Sequence, residues 1–273
     1  MVQKNFGIYG ELAVAARMYL EIGEKYAACF SITEQHKLLH SFELFEFAEA
    51  DTVSTEELLR VIKLHSRLFD QSFVAVTVIW NNNLATAIPA PLYKDDTAGD
   101  FLLVETGCAP VGTLLKDKAG SQVVAYYIED ESLTAVRHYF PGAKHVHKKS
   151  LLFGKANTSK EAAQWVNISF YNSEFSVSVY KDRLLQLYRK YQYQTTEDVL
   201  YHLLNSIQQT GISKEEAKVY AGGLIDKRST LFKELNLYVN HLEADNLPVE
   251  KLNKEIFAEY PAHYFSPFYH LVV

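Results

Sequence analysis

The sequence predicts an α/β fold made of two similar halves, with a small α/β segment inserted between them. Three observations carry this. From residue 19 the chain reads as three strand-like runs, a helix and a buried strand; from residue 165 the same order recurs; and the stretch between the two follows a different pattern.

The opening strands are "YLEI", "AACFSI" and "LLHSFELF", separated by Gly23 and by the polar "TEQHK", as in consecutive hairpins. Ser54 or Thr55 caps a helix over "TEELLRVIKLHSRLF". Glu57 lies three residues after Ser54, and Leu58, Val61, Ile62, His65, Leu68 and Phe69 recur at helical spacing. Next, "FVAVTVIW" (residues 73–80) is β-branched or aromatic at every position but Ala75, the composition of a strand buried on both faces.

The middle stretch, "SQVVAYYIEDESLTAVRHYFPGAKHVHKKSLLFGKA", gives a strand, an acidic turn, a short helix, a Pro-Gly break, a further strand and a further helix. We assign residues 94–156 to an inserted α/β subdomain, with "NTSKEAAQ" as the return linker. The halves are then residues 1–93 and 157–273. The second half offers "WVNISF", "EFSVSVY" and "RLLQLYRKYQY" as strands, "TTEDVLYHLLNSIQQTG" as a capped helix and "AKVYAGGLID" as a strand. An offset of 146 residues sets Leu20-Glu21-Ile22-Gly23 on Val166-Asn167-Ile168-Ser169 and Phe73 on Val219. The repeat lies in the order and spacing of elements; residue identities are few.

Composition narrows the function classes. A chain of 273 residues that is 48% apolar has ample material for a core and is not of the disordered type. Its net charge of -6 opposes general binding to a nucleic-acid backbone, which needs clustered cations. No apolar run is long enough to span a membrane, since "LAVAARMYLEI" is broken by Arg17 and Glu21. Two cysteines, Cys29 and Cys108, make neither a disulfide framework nor a zinc set, so a cytoplasmic protein is expected. No nucleophile elbow, Walker loop or dinucleotide-binding glycine pattern occurs.

Two meander-helix-strand halves, each opening on a turn at the acid-Gly position, resemble the actin-like ATPase superfamily. Within it the chain is most similar to the PilM and FtsA branch, through the strand-helix-strand of residues 123–147, the helix-like "KKSLLFGKA", the return "VNISFYNSEFSVSVYKDRLL" and the Gly-Gly turn in "VYAGGLID". It also resembles a Bacteroidota family known only as a domain of unknown function (DUF3822-like). The resemblance implies a duplicated actin-like, ribonuclease H-like fold of βββαβ halves. It further implies that ATP with Mg²⁺ would sit in the interdomain cleft against Glu21, Gly23, Lys25, Asn167, Ser169, Gly222 and Gly223.

The loops depart from what that chemistry needs. Phosphate binding here uses Asp-x-Gly followed by small residues whose backbone N–H groups face the phosphates. The first loop instead reads Glu21-Ile22-Gly23-Glu24-Lys25-Tyr26, putting charge and bulk where phosphate must approach, with Lys25 as the compensating cation. The second, Asn167-Ile168-Ser169-Phe170-Tyr171, has neither the carboxylate nor the glycine. Only "SIQQTGISKEEAK" fills the place where relatives carry a subdomain over the adenosine. The expectation is therefore a non-catalytic pseudo-ATPase with no cofactor and no metal, kept as a scaffold or protein-interaction module. The alternative is a nucleotide-binding switch with ATP in the cleft.

Other groupings have plainer readings. His145 and His147, two apart on a strand, share a face and suit a metal, yet beside Lys148 and Lys149 they read as a solvated surface. Asp95, Asp96 and Asp100 make an acidic loop without calcium-loop spacing. Tyr188, Tyr191 and Tyr193, with Tyr264, Phe265, Phe268 and Tyr269, suit either an interface or core packing. A protein partner, or self-association, is expected at the inserted subdomain. Its surface is placed around His138, Tyr139 and residues 145–149, where Lys144, Lys148 and Lys149 suggest an acidic partner.

Overall fold

A computed structural model describes residues 2–11, 15–47, 53–107, 109, 111–155, 164–213, 215–253 and 255–273. Cys108, Ala156 and residues 157–163 of the linker lie outside them. The chain divides into two compact units, Met1–Gly154 and Lys155–Val273. Among the described residues no helix is long and apolar enough to cross a membrane.

The first unit opens with β1 (Val2–Tyr9), β2 (Ala16–Ile22), β3 (Tyr26–Thr33) and β4 (Leu39–Phe47), followed by α1 (Thr55–His65) and β5 (Ala75–Trp80). Then come β6 (Ala85–Pro89), α2 (Ala98–Thr106), β7 (Thr113–Ala119), β8 (Gln122–Ile128), α3 (Asp130–Tyr139), β9 (Lys144–His147) and α4 (Lys148–Lys155). Six strands form one sheet in the order β1-β4-β3-β2-β5-β9, and β6-β8-β7 form a second. Ser54 caps α1, its hydroxyl accepting the Glu57 N–H, and Leu58, Leu59 and Ile62 bury against Met18, Leu20, Ile22, Val78 and Trp80. Alternation along β2 sends Met18, Leu20 and Ile22 to that helical face and leaves Glu21 on the other.

Two expectations change here. The sequence reading places no strand before residue 19, but β1 lies antiparallel along β4, with Gly7 opposite Glu43. Nor do residues 94–156 form one separate body: β9 pairs in parallel with β5 in the main sheet, and α3 packs on α1, with a 2.7 Å hydrogen bond between the Thr55 and Ser132 hydroxyls. Conversely β6, ahead of residue 94, joins the small sheet. A strand beside β5 continues the hydrogen-bond ladder, which the local sequence of residues 144–147 does not reveal.

The second unit comprises β10 (Gln164–Phe170), β11 (Glu174–Lys181), β12 (Leu184–Gln192), α5 (Thr196–Gln209), β13 (Lys218–Gly223), α6 (Thr230–Tyr238), β14 (His241–Ala244) and α7 (Ser266–Val272). Its sheet runs β12-β11-β10-β13-β14. A capping box between Thr195 and Asp198 starts α5, whose Val199, Leu203 and Ile207 pack with Leu235 of α6 on Val166, Ile168, Phe170, Val219 and Ala221. Each unit thus extends the anticipated βββαβ by a further helix and parallel strand, α3-β9 in the first and α6-β14 in the second.

The hairpin turns fix which residues correspond. Ile22 pairs with Ala27 before a turn closed by the Gly23 N–H on the Tyr26 carbonyl (2.9 Å). Phe170 pairs with Phe175 before a turn closed by the Tyr171 N–H on the Glu174 carbonyl (2.8 Å). Glu21 therefore corresponds to Ser169 and Gly23 to Tyr171, which corrects the 146-residue alignment to Asn167 and Ser169. Val219 corresponds to Val76 rather than Phe73, because the second unit uses five residues fewer between the hairpin and its parallel strand.

Candidate functional site

The first hairpin encloses a buried charge pair. Glu21 is fully buried in β2 between Ala28 and Ile79, and Lys148, at the first residue of α4, is 3% exposed. Because β9 lies beside β5 and runs straight into α4, the Lys148 ammonium reaches back to Glu21 Oε1 at 2.8 Å. The Tyr26 hydroxyl donates to the same oxygen, and Asn81 Nδ2, just past β5, donates to the Tyr26 hydroxyl at 2.8 Å. Two ions removed from water are costly, and direct pairing with charge-assisted hydrogen bonds compensates that cost. Oε2 of Glu21 has no hydrogen-bond partner among the described residues.

Gly23 has a local purpose. A Cβ there would collide with the Tyr26 ring, itself 1% exposed, so the glycine admits the chain's own tyrosine. Lys25 is half-buried, and its carbonyl accepts the Phe47 N–H at 3.0 Å.

In the second unit Asn167 and Ser169 lie inside β10, not in the turn; the turn is Tyr171 to Glu174. Ser169 pairs with Gly222, and Phe170 with Gly223. Gly223 has φ of 79°, and a Cβ on it would strike the Phe170 carbonyl, so only glycine allows this approach. A Cβ on Gly222 would meet the Ser266 hydroxyl, because the C-terminal segment covers that face of β13. His263, 2% exposed, hydrogen-bonds the Ile225 carbonyl (2.7 Å), and Ser266 donates to the His263 carbonyl (3.0 Å). The sequence reading missed Glu174, which takes the place of Tyr26 and is buried.

A sequence profile described as "Protein of unknown function (DUF3822)" matches residues 15–242. The chain belongs to this family. No curated protein matches it. Among solved structures, it is similar to a Bacteroides thetaiotaomicron VPI-5482 protein with an actin-like ATPase fold and unknown function: TM-score 0.69, 15% identity, 83% of this chain and 89% of that one. It is also similar to the PilM-PilN type IV pilus biogenesis complex: TM-score 0.58, 14% identity, 93% of this chain and 97% of that one. At these identities the likeness establishes the fold, and the DUF3822 chain has the actin-like ATPase fold.

In this DUF3822 chain the expected surface around residues 145–149 does not exist as drawn. Lys148 is the buried partner of Glu21, and Lys149 binds the Ala85 carbonyl (2.6 Å) and Glu105 (3.0 Å). His138 and Lys144 are exposed, whereas Tyr139 packs beside Phe69. His147 is 1% exposed rather than solvated: its Nδ1 accepts the Lys149 N–H and its Nε2 faces the Asn82 carbonyl. His145 stacks on Trp80, whose indole N–H donates to its Nδ1 (3.1 Å), and burial lowers its pKa. Asp117 of β7 ties the small sheet to α4, accepting the His147 N–H and the Ser150 hydroxyl; burial raises its pKa above the ordinary aspartate value.

The remaining candidates resolve locally. Asp95 pairs with Lys116 (2.7 Å), while Asp96 and Asp100 are exposed. Phe265, Phe268 and Tyr269 are buried, Tyr264 is half-buried, and Tyr191 and Tyr193 pack on the α5 face of the sheet while Tyr188 is half-buried. Cys29 is buried in β3 with its thiol pKa pushed well up, which removes the thiolate that reactivity needs.

Proposed function

We propose that this protein is a pseudo-ATPase: a non-enzymatic member of the actin-like fold that binds neither ATP nor Mg²⁺ and serves as a scaffold or protein-interaction module. The observation that carries this reading is the occupied first hairpin. The carboxylate that would hold a metal, directly or through water, is neutralised by Lys148 and hydrogen-bonded by Tyr26, whose ring also covers the glycine. The second hairpin adds support, with Ser169 and Tyr171 in the places of the acid and the glycine. The similarity to PilM, solved in complex with PilN, favours a role in holding a protein partner.

Thermal unfolding with and without millimolar ATP and Mg²⁺ tests this. A ligand confined to the native state adds RT ln(1 + [L]/Kd), about 4 kcal/mol at a thousandfold excess. The pseudo-ATPase reading expects no change in Tm. A rise abolished by Gly222→Trp would instead establish the nucleotide-switch reading.

A further inference from the structure

β1 begins the first unit, lies at the outer side of its six-stranded sheet and pairs there with β4. Nearly all of β4 is buried, so without β1 it would be an apolar strand edge with unpaired N–H and C=O groups, a template that recruits another strand. The family profile begins at residue 15, which leaves β1 outside the matched part of the chain. The cover on β4 is therefore an addition to the family's core, carried on the chain's first residues.

A buried carboxylate sets what can lie along β4. Glu43, fully buried, accepts from the Ser66 hydroxyl (2.5 Å) and the Arg67 N–H (2.8 Å) at the end of α1, and from the Lys4 ammonium (3.1 Å) and the Tyr9 hydroxyl (2.6 Å) on β1. Two of these donors stay with α1 and two arrive with the covering strand. The Arg67 guanidinium lies over the Tyr9 ring at 4.6 Å, and the Gly10 N–H continues the pairing onto the His40 carbonyl (3.1 Å). A strand seated here must bring a cation and, five residues on, a phenol, because a buried carboxylate deprived of donors is costly. β1 meets that demand, and every copy of the chain carries one. The link from β1 to the rest of the sheet favours exchange: β4 and β3 stand between β1 and β2, three strand spacings or roughly 14 Å. Residues 10–15 have to cover that distance and clear the β3–β4 turn, residues 34–38. That length of chain reaches about 20 Å when fully extended, which leaves little slack, and short hinges of this kind invite strand exchange between copies.

We propose that the chain dimerises by exchanging β1: the first strand of each copy lies along β4 of the other, where Lys4 and Tyr9 meet the other copy's Glu43. The exchange is reciprocal, so each copy keeps the β1–β4 ladder and the Glu43 hydrogen bonds, and the assembly closes at two. It goes beyond the pseudo-ATPase reading and stands or falls without it, since no nucleotide enters its test.

Gln3 of β1 stands directly opposite Glu46 of β4, and facing residues of an antiparallel pair are close enough for a disulfide. The test co-expresses two full-length chains with different affinity tags, one Gln3→Cys and the other Glu46→Cys, both also carrying Cys108→Ser, and oxidises them after purification. Exchange is expected to give a covalent heterodimer on a non-reducing denaturing gel, and light scattering of the unsubstituted chain is expected to give the mass of two chains. A single chain carrying both cysteines shows that the pair reacts, and it too should be trapped as a covalent dimer. If that double variant instead closes its disulfide within one chain and the co-expressed chains give no cross-link, the proposal is overturned. A dimer that persists after deletion of residues 2–9 also overturns it, because the contact between copies then lies elsewhere.

Discussion

The two hairpins have closely similar backbones and hold different chemistry. In the first, Glu21 at the end of β2 is met by Tyr26 across the turn and by Lys148 from a helix 127 residues later. In the second, Ser169 stands where Glu21 does, Tyr171 where Gly23 does and Glu174 where Tyr26 does. The same hairpin backbone therefore closes with the acid-Gly turn in one unit and without it in the other, so the turn residues are not what the hairpin itself requires. The acid in the first unit belongs to a core ion pair, and the glycine makes room for a buried tyrosine.

The largest expected effect lies in the first hairpin. Removing the ammonium with Lys148→Ala leaves Glu21 as a buried, uncompensated carboxylate and should cost about 3–5 kcal/mol by urea unfolding. Glu21→Gln combined with Lys148→Met should recover most of that loss, because a neutral pair needs no counter-charge. Ser169→Ala, at the matching place in the second unit, should change stability by no more than about 0.5 kcal/mol. Equal costs at the two places would dissolve the comparison.

A smaller effect separates neutral from acidic solution. Burial lowers the pKa of His263 in the second unit and of His145 in the first. In the folded chain both stay neutral below the ordinary histidine value of 6.5, while the unfolded chain takes up protons. The unfolded state then binds more protons, so stability is fully present above that value and is lost as pH falls toward the lowered folded values. Each histidine contributes at most about 1.4 kcal/mol per pH unit in that window. Urea midpoints at pH 7.5 and 5.5 measure the loss, and His263→Gln should flatten the slope while leaving the part due to His145.

Much of the fold was legible because local signals were strong. Ser54 with Glu57, and Thr195 with Asp198, announce their helices, and "AACFSI" and "EFSVSVY" can hardly be anything but strands. The strand β1 was not legible, since "VQKNFGIY" mixes polar and apolar residues and gains its order from pairing with β4. Nor was the site complete on paper. Glu21, Gly23 and Tyr26 could be read together as one loop, but Lys148 looked like part of a basic surface because its partner is distant in sequence. Glu174 is not legible from one fixed offset, because the connection between the hairpin and its parallel strand differs in length between the two units.

A first hairpin filled by Glu21, Lys148 and Tyr26, as we propose, leaves no place for nucleotide or metal. Isothermal titration of ATP with Mg²⁺ into the purified full chain, at protein concentrations that would reveal a Kd up to about 1 mM, addresses it directly. No binding heat beyond dilution is expected. Saturable one-to-one binding that strengthens when Mg²⁺ is added and is lost in Glu21→Gln would contradict it.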